Sequence, residues 1–509
     1  MKTFPDFSAF TNAYGADGQG SSQVVWTTLV SDLETPVSAM LKLAQDRLNS
    51  FLLESVESGA IRGRYSFIGM HPDLIWRCFG DRAEINRDAE TDPDVFAPCP
   101  VAEESGAIES LRALVKESRI EMPADLPPMA SGLVGYLAYD MVRLVENLPD
   151  GNPDAIGVPD SIFLRPTVMA VFDSLEDSVT IVTPVRPGKS MTAEDAYRAA
   201  SERLAGVVRD FEAGPPQKAE KPSPEKELPE PESNMTREMF HGMVKKAVEY
   251  INAGDAFQIV PSQRFKLPFT LPPFSFYRAL RRLNPSPFLF YLNFGDFSVV
   301  GSSPEILVRV RDGKITLRPL AGTRKRGQTP AEDAALVKDL LSDPKEIAEH
   351  LMLLDLGRND VGRVAKVGTV NVTEQFTVEH YSHVMHIASN VEGDLDPKFD
   401  AIDALLAGFP AGTVSGAPKI RAMEIIDELE PERRGVYSGC IGYFGANGDM
   451  DTCIALRTAV IKNGVLYVQA GGGVVADSDP ENEFQESCNK AQALIQAAGE
   501  AVKFATGKA

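Results

Sequence analysis

Between Glu212 and Ser233 the chain reads EAGPPQKAEKPSPEKELPEPES, proline, lysine and glutamate alternating with almost no apolar side chain. A segment of that composition cannot bury enough surface to fold by itself, and it is expected to be a solvated linker. It divides the 509 residues into parts of nearly equal length. The fold must therefore be assembled from two comparable pieces, expected at 1–211 and 235–509 with 212–234 between them. Apolar residues at 43% and charged residues at 24% leave room for a substantial core.

The two pieces share a faint echo. Residues 68–77 read IGMHPDLIWR and residues 300–309 read VGSSPEILVR, each placing Gly, Pro, an acid, apolar residues and Arg in one register. Each follows a strand-like run, SFLLES at 50–55 and PFLFYL at 287–292. An internal duplication explains this register better than shared turn punctuation does. The expected fold is α/β (α+β): a large two-layered, mixed but mostly antiparallel β-sandwich with helices outside, built from two loosely duplicated halves.

Two helix starts are written plainly. Ser342-Asp343-Pro344 opens one helix, with Ile347, Leu351 and Leu354 on a stripe. Ser478-Asp479-Pro480 opens another, with Phe484, Cys488, Ala491 and Ile495. A capping acid followed by proline at the first helical position is the expected chemistry. Beside each stripe stand two glutamates three apart, Glu346 and Glu349, then Glu483 and Glu486, with Lys490 one turn on. Such pairs share a helix face. Either pair alone fits a helix dipole or a capping box; two pairs facing across a cleft would suit a hard divalent cation.

Gly471-Gly472-Gly473 follows the strand-like VLYVQA, and without side chains its amides can approach a carboxylate. Arg457 lies in the apolar run CIALRTAV, where a buried guanidinium needs a structural ion pair or a ligand carboxylate. Three histidines crowd into HYSHVMH; read as one strand, it puts His383 on one side and His380 and His386 on the other. Their spacing is not that of a zinc site.

Several classes drop out. A net charge of −21 with no basic run argues against nucleic acid. Five cysteines with no CxxC spacing suggest reduced thiols. No apolar stretch is long enough for a membrane span or a leader, so the expected compartment is the cytoplasm.

The series GDAFQIVPSQRF (254–265), GSSPEIL (301–307), RPLAGTRKRG (318–327), KEIAEHLMLLDLGRND (345–360), YSHVMHIAS (381–389), AGTVSGAPKIRAME (411–424), GYFGANGDMDTCIALRTA (442–459) and QAGGGVVADSDPENEFQESCNKA (469–491) closely resembles the chorismate-binding enzymes and covers nearly all of 235–500 in order. SFLLES and GLVGYLAYD (132–140) are similar to members that carry a regulatory half. Members that activate water carry lysine where Gln258 stands, and aminodeoxychorismate-forming members carry a lysine nucleophile where Ala321 stands. The pair Gln258 and Ala321 points to the anthranilate-forming branch. Aminodeoxychorismate synthesis, or a non-catalytic chorismate or tryptophan binder, are the alternatives.

The resemblance implies roles residue by residue. Glu349 and Glu486, with Glu346 and Glu483, are the implied Mg²⁺ ligands, and Mg²⁺ the implied cofactor. Tyr437, Arg457 and the amides of Gly471, Gly472 and Gly473 are implied to hold the enolpyruvyl carboxylate, Gly322, Thr323 and Thr413 the ring, and Lys490 a further carboxylate. His386 is the implied proton donor to the departing hydroxyl, and Glu349 a possible acid/base. Leu52, Glu54, Ser55, Pro287, Phe288 and Leu289 are implied to form a pocket for L-tryptophan as feedback inhibitor. No cysteine has the setting of an amidotransferase nucleophile; SGCIGYF around Cys440 reads as a strand. Ammonia is therefore expected from a separate glutamine amidotransferase subunit, in a hetero-oligomer such as a heterotetramer.

Overall fold

The computed structural model describes residues 1–15, 20–44, 47–57, 61–187, 191–214, 228–381 and 384–506. Most of the expected linker, 215–227, lies outside the described residues, as does His383.

The N-terminal half contributes strands β1 (Gln23–Val30), β2 (Ser50–Glu54), β3 (Tyr65–Phe79), β4 (Arg82–Asn86), β5 (Gly132–Leu137), β6 (Ser161–Asp173) and β7 (Ser178–Val185), followed by helix α1 (Ala193–Glu212). The C-terminal half contributes β8 (Ser262–Pro268), helix α2 (Pro273–Leu283), β9 (Phe288–Asn293), β10 (Phe297–Ser303), β11 (Ile306–Arg311), β12 (Lys314–Leu317) and β13 (Leu320–Lys325). Helix α3 (Pro344–Gly362), strands β14 (Asn371–His380), β15 (Val384–Asp394), β16 (Cys440–Gly445), β17 (Met450–Ile454), β18 (Thr458–Lys462) and β19 (Val465–Gly471), and helix α4 (Pro480–Thr506) complete it.

The ladders are antiparallel and run in two layers. One layer has the order β1-β7-β6-β3-β2-β9-β10-β18-β19-β8. The other has the order β4-β3-β6-β5-β16-β17-β11-β12-β15, with β13 and β14 also paired to β15. Each order reads the same from its two ends when the halves are exchanged, which makes the echo of the sequence a structural duplication. Its signature is local. A Cβ on Gly69 would strike the ring of Phe51 across the ladder, and one on Gly301 would strike the ring of Phe290. Only glycine lets an aromatic ring lie over the facing strand there.

The halves meet edge to edge in both layers, through β2–β9 and through β5–β16. Alternating strands bury one apolar set between the layers, around Phe51, Tyr136, Ile162 and Phe290, and helices α1, α2 and α4 cover the first layer. Such burial is worth about 25 cal/mol per Å² of apolar surface.

Three expectations need correction. The C-terminal end of the expected linker is already structured: Glu232–Ser233 pairs with β8 at Lys266 and Phe265, and Leu228 packs on the core. The buried stripe of α3 is His350, Leu353, Leu354, Gly357 and Val361, whereas Leu351 is exposed. HYSHVMH is not one strand but a hairpin end, with His380 opposite Met385 and Tyr381 N donating to Val384 O. Among the described residues no helix is long and apolar enough to cross a membrane.

Candidate active site

Strands β3 and β6 run through both layers and bulge at Pro72 to Leu74. Their counterparts in the C-terminal half break outright, at Pro304–Glu305 between β10 and β11 and at Ala455–Arg457 between β17 and β18. The break frees backbone and side chains at the sheet's bend, and most of the expected site residues gather there. Arg457 is thus not in a strand: it sits at the break with φ 47°. It is half-buried at the wall of a cavity, and the partial loss of water lowers its affinity for the proton. Among the described residues no carboxylate pairs with it. Of the two readings of this arginine, the structural ion pair is not made among the described residues. Arg457, Glu486, Lys490 and Tyr381 line a cavity of about 490 Å³.

Helix α3, capped by Asp343 accepting from Lys345 N, carries Glu346 and Glu349 toward this region. Helix α4 carries Glu483 and Glu486. Glu349 Oε1 accepts from Gln258 Nε2 at 3.1 Å. A Cβ on Gly473 would lie 2.3 Å from that Nε2, and one on Gly472 would lie 2.9 Å from Glu483 Oε2 and 3.3 Å from Glu486 Oε1. The glycine run thus passes directly between the two acidic faces. Burial, then the charges of Glu346 and Glu486, push the Glu349 carboxyl up, and burial and Glu486 do the same to Glu483. Like charges are crowded here, as a cation site requires.

The four carboxylates do not converge as a finished ligand set. Glu346 accepts from Arg324 at 2.8 Å and from Thr323 N at 3.3 Å, so it closes no capping box. Glu483 accepts from Ser478 at 2.8 Å, and Glu486 pairs with Lys490 at 2.8 Å. Among the described residues no three acidic or sulfur or imidazole groups are close enough to hold an ion as they stand. The all-oxygen donor set still fits Mg²⁺, which keeps several waters and uses one or two carboxylates. Of the four, Glu349 is bonded only to an amide, whereas Glu346 is committed to Arg324 and Glu486 to Lys490.

His386, on β15, faces Thr323 on β13: Nδ1 lies 3.0 Å from Thr323 Oγ1 and 3.3 Å from the Gly322 carbonyl. The carbonyl can only accept, so Nδ1 carries the proton and Nε2 offers a lone pair. Burial, and then the charge of Arg457, push the imidazole down to about 4. His386 is neutral in this cleft, which weakens the expectation that it donates a proton. Thr413 sits in a one-turn helix, Gly412–Val414, and its hydroxyl lies 3.2 Å from both oxygens of Glu305. Tyr437 is buried with its hydroxyl near the Gly471 amide, and Lys490 Nζ donates to the Gly471 carbonyl at 3.0 Å. Ala321 is buried in β13 and offers no amine.

Glu305 was not singled out by sequence reasoning. It is 6% exposed, and burial pushes its carboxyl up to about 8. The duplication gives the reason. In the other half the echoed acid, Asp73, is clasped by Arg165 at 2.8 Å, and Arg165 stands opposite Leu74. The matching register position opposite Ile306 is Cys453. Glu305 has no such cation among the described residues, and its burial favours the protonated form.

A second cavity, about 510 Å³, lies where the halves meet. Glu54, Ser55, Pro287, Phe288 and Leu289 line it. Leu52 does not; it is buried against the core opposite Tyr291. The Glu54 carboxylate is taken by Arg281 at 2.6 and 2.7 Å and by the Tyr277 hydroxyl at 2.5 Å, so it is no open anchor for an ammonium group. Tyr381 lines both cavities. Its hydroxyl donates to Glu379, which is paired with Arg318 beside the inter-half cavity, and its ring meets His386 edge-on at 5.5 Å.

An acidic cleft lies beside an arginine that has no carboxylate partner among the described residues, in a duplicated sandwich. Residues 64–496 match the chorismate binding enzyme family, and the chain belongs to it. It is 59% identical to anthranilate synthase component 1 of Cereibacter sphaeroides over 98% of either chain. It is 49% identical to anthranilate synthase component 1 of Pseudomonas putida over 92% of this chain and 93% of that one. The crystal structure of anthranilate synthase component I from Streptococcus pneumoniae TIGR4 superposes with a TM-score of 0.73 at 39% identity, covering 85% of this chain and 92% of the other. The menaquinone-specific isochorismate synthase MenF of Escherichia coli shares the fold, with a TM-score of 0.71 at 20% identity.

Proposed function

We propose that this chain converts chorismate and ammonia to anthranilate, pyruvate and water, as the large subunit of an anthranilate synthase. The observation that carries the reading is Gln258. It is 4% exposed, its Nε2 donates to Glu349, and its buried carbonyl oxygen has no hydrogen-bond partner among the described residues. An amide cannot deprotonate water, but an orphaned acceptor there is ready for an N–H of ammonia.

Arg457, Tyr437 and the 471–473 backbone are set to hold the enolpyruvyl carboxylate, and Gly322 and Thr323 to border the ring. Mg²⁺ on Glu349 and Glu486, when bound, supplies neutralisation and orientation of the ring carboxylate. As ammonia bonds to C2, the C4 hydroxyl must leave with a proton. Glu305 holds one at neutral pH, with Thr413 beside it. A carboxylate on Arg457 would cancel the lesser cause that depresses His386, the arginine's charge, while the larger, burial, remains, so His386 serves there as a neutral ring that orients substrate. Loss of the C2 proton and of pyruvate then yields the aromatic ring, which supplies the driving force. The residues contribute orientation and charge placement.

Ammonia comes from a separate glutamine amidotransferase subunit in a hetero-oligomer, and tryptophan binds the cavity between the halves as feedback inhibitor. Ser55 and the Pro287–Leu289 segment line that cavity in support. The test is anthranilate fluorescence from the isolated chain with chorismate, Mg²⁺ and an ammonium salt at alkaline pH, against glutamine. Anthranilate with ammonium and none with glutamine is expected. Aminodeoxychorismate or isochorismate as main product, or use of glutamine, would overturn the assignment.

A further inference from the structure

Gln258, Thr413 and Tyr437 lie on three irregular segments, and one buried side chain touches all three. Arg434 is 2% exposed. Its Nη2 donates to the Val260 carbonyl at 2.6 Å, two residues from Gln258, and its Nη1 to the Val414 carbonyl at 2.7 Å, next to Thr413. The guanidinium lies over the Tyr437 ring at 5.5 Å and reaches the Ser438 hydroxyl at 3.3 Å. Glu430 holds it from the other side at 2.6 Å and accepts from both N and Oγ of Ser262, each at 2.8 Å. The Val260 carbonyl, just before β8, and the Val414 carbonyl, at the end of the one-turn helix, are backbone acceptors outside the main ladders, and a planar guanidinium can satisfy both while keeping its carboxylate.

A second buried arginine, Arg264, braces the Arg433 and Arg434 carbonyls from behind, and a third is placed differently. Arg165 clasps Asp73 and Glu117 in the other half, and touches no residue of the cleft. Burial alone does not bring a cation to the catalytic segments.

We propose that Arg434, oriented by Glu430, is a positioning residue that sets the ammonia-side amide, the ring-side hydroxyl and the carboxylate-side tyrosine in mutual register. It acts through those groups and does not touch substrate. The proposal rests on the reading of Gln258, Thr413 and Tyr437 given above.

Lysine keeps the charge at 434 but cannot span two carbonyls and a carboxylate, so Arg434→Lys separates charge from geometry. Arg165→Lys serves as the control for loss of a buried arginine far from the cleft. Melting temperature, kcat, and KM for chorismate and for ammonia are measured for both, well below the lower melting temperature. Arg434→Lys should raise both KM values and lower kcat, a combined loss of roughly tenfold to a hundredfold. Arg165→Lys should lose stability with wild-type kinetics. Wild-type kinetic constants in Arg434→Lys, or the same kinetic loss in Arg165→Lys, would overturn the proposal. If Arg434→Lys does not fold, Glu430→Gln takes its place. It leaves the guanidinium present but unoriented, and unchanged KM values there overturn the proposal equally. A wild-type chain that makes no anthranilate overturns the activity reading itself, and is told apart because the failure precedes any substitution.

Discussion

Glu305 and Glu349 are carboxyl groups of one cleft with opposite jobs, and their surroundings decide which is which. Glu349 is crowded by other carboxylates and bonded to an amide. Glu349→Gln should cut activity by orders of magnitude without loss of melting temperature, because it removes a charge its neighbours repel. Near-normal turnover would return the glutamate pairs to helix-dipole duty. Glu305 is buried with one hydroxyl and one amide, and its carboxyl lies at about 8 against an ordinary 4.5. A raised carboxyl binds its proton more tightly folded than unfolded, so its contribution to stability falls as pH rises from 4.5 to about 8. Thermal melts should therefore show Glu305→Gln gaining on wild type across that window and level above it, while kcat drops by roughly a hundredfold. A flat difference in melting temperature would mean the carboxyl is ionised throughout. The glutamate pairs, Arg457 and the glycine run were all legible as chemistry in the sequence. Glu305 was not, because its acidity depends on Cys453 standing where the other half has an arginine, a fact of register that no local pattern carries.

At the scale of elements, strand breaks decide what the sheet's bend does. The same bend holds an ion pair in one half and a cleft in the other. Sequence periodicity could place the strands but not the breaks, since Arg457 interrupts an apolar run that reads as continuous. The hairpin of β14 and β15 hid for a related reason: HYSHVMH has the alternation of a strand, and only the Tyr381–Val384 hydrogen bond shows the turn. Tyr381 lines both cavities, so it bears on the proposed regulation. Ser55→Phe should fill the inter-half cavity and give near-normal turnover resistant to tryptophan; full inhibition of the variant would mean the inhibitor binds elsewhere. If the Arg318–Glu379–Tyr381 chain transmits binding, Glu379→Gln should retain tryptophan affinity but reduce the factor by which chorismate weakens it, measured by calorimetry in both directions. An unchanged factor would exclude that chain as the route.

For the molecule as a whole, the polar segment read as a linker joins halves that pair edge to edge in both layers. Composition reveals a polar segment, but not that the flanking halves share both sheets. Cutting the chain within 215–227 should leave two fragments that elute together and keep activity, held by β2–β9 and β5–β16. Fragments that separate would show those ladders too weak to join the halves. The β5–β16 ladder also has a consequence for how the chain reaches its fold. It pairs Leu137 with Cys440, about 300 residues apart, and such contacts form late and slowly. During synthesis the first half must wait with the edges of β2 and β5 open, each shaped to accept a copy of the second half. At high concentration that copy can come from another chain, so refolding yield should fall steeply with concentration, through dimers exchanged between halves rather than through unstructured aggregate.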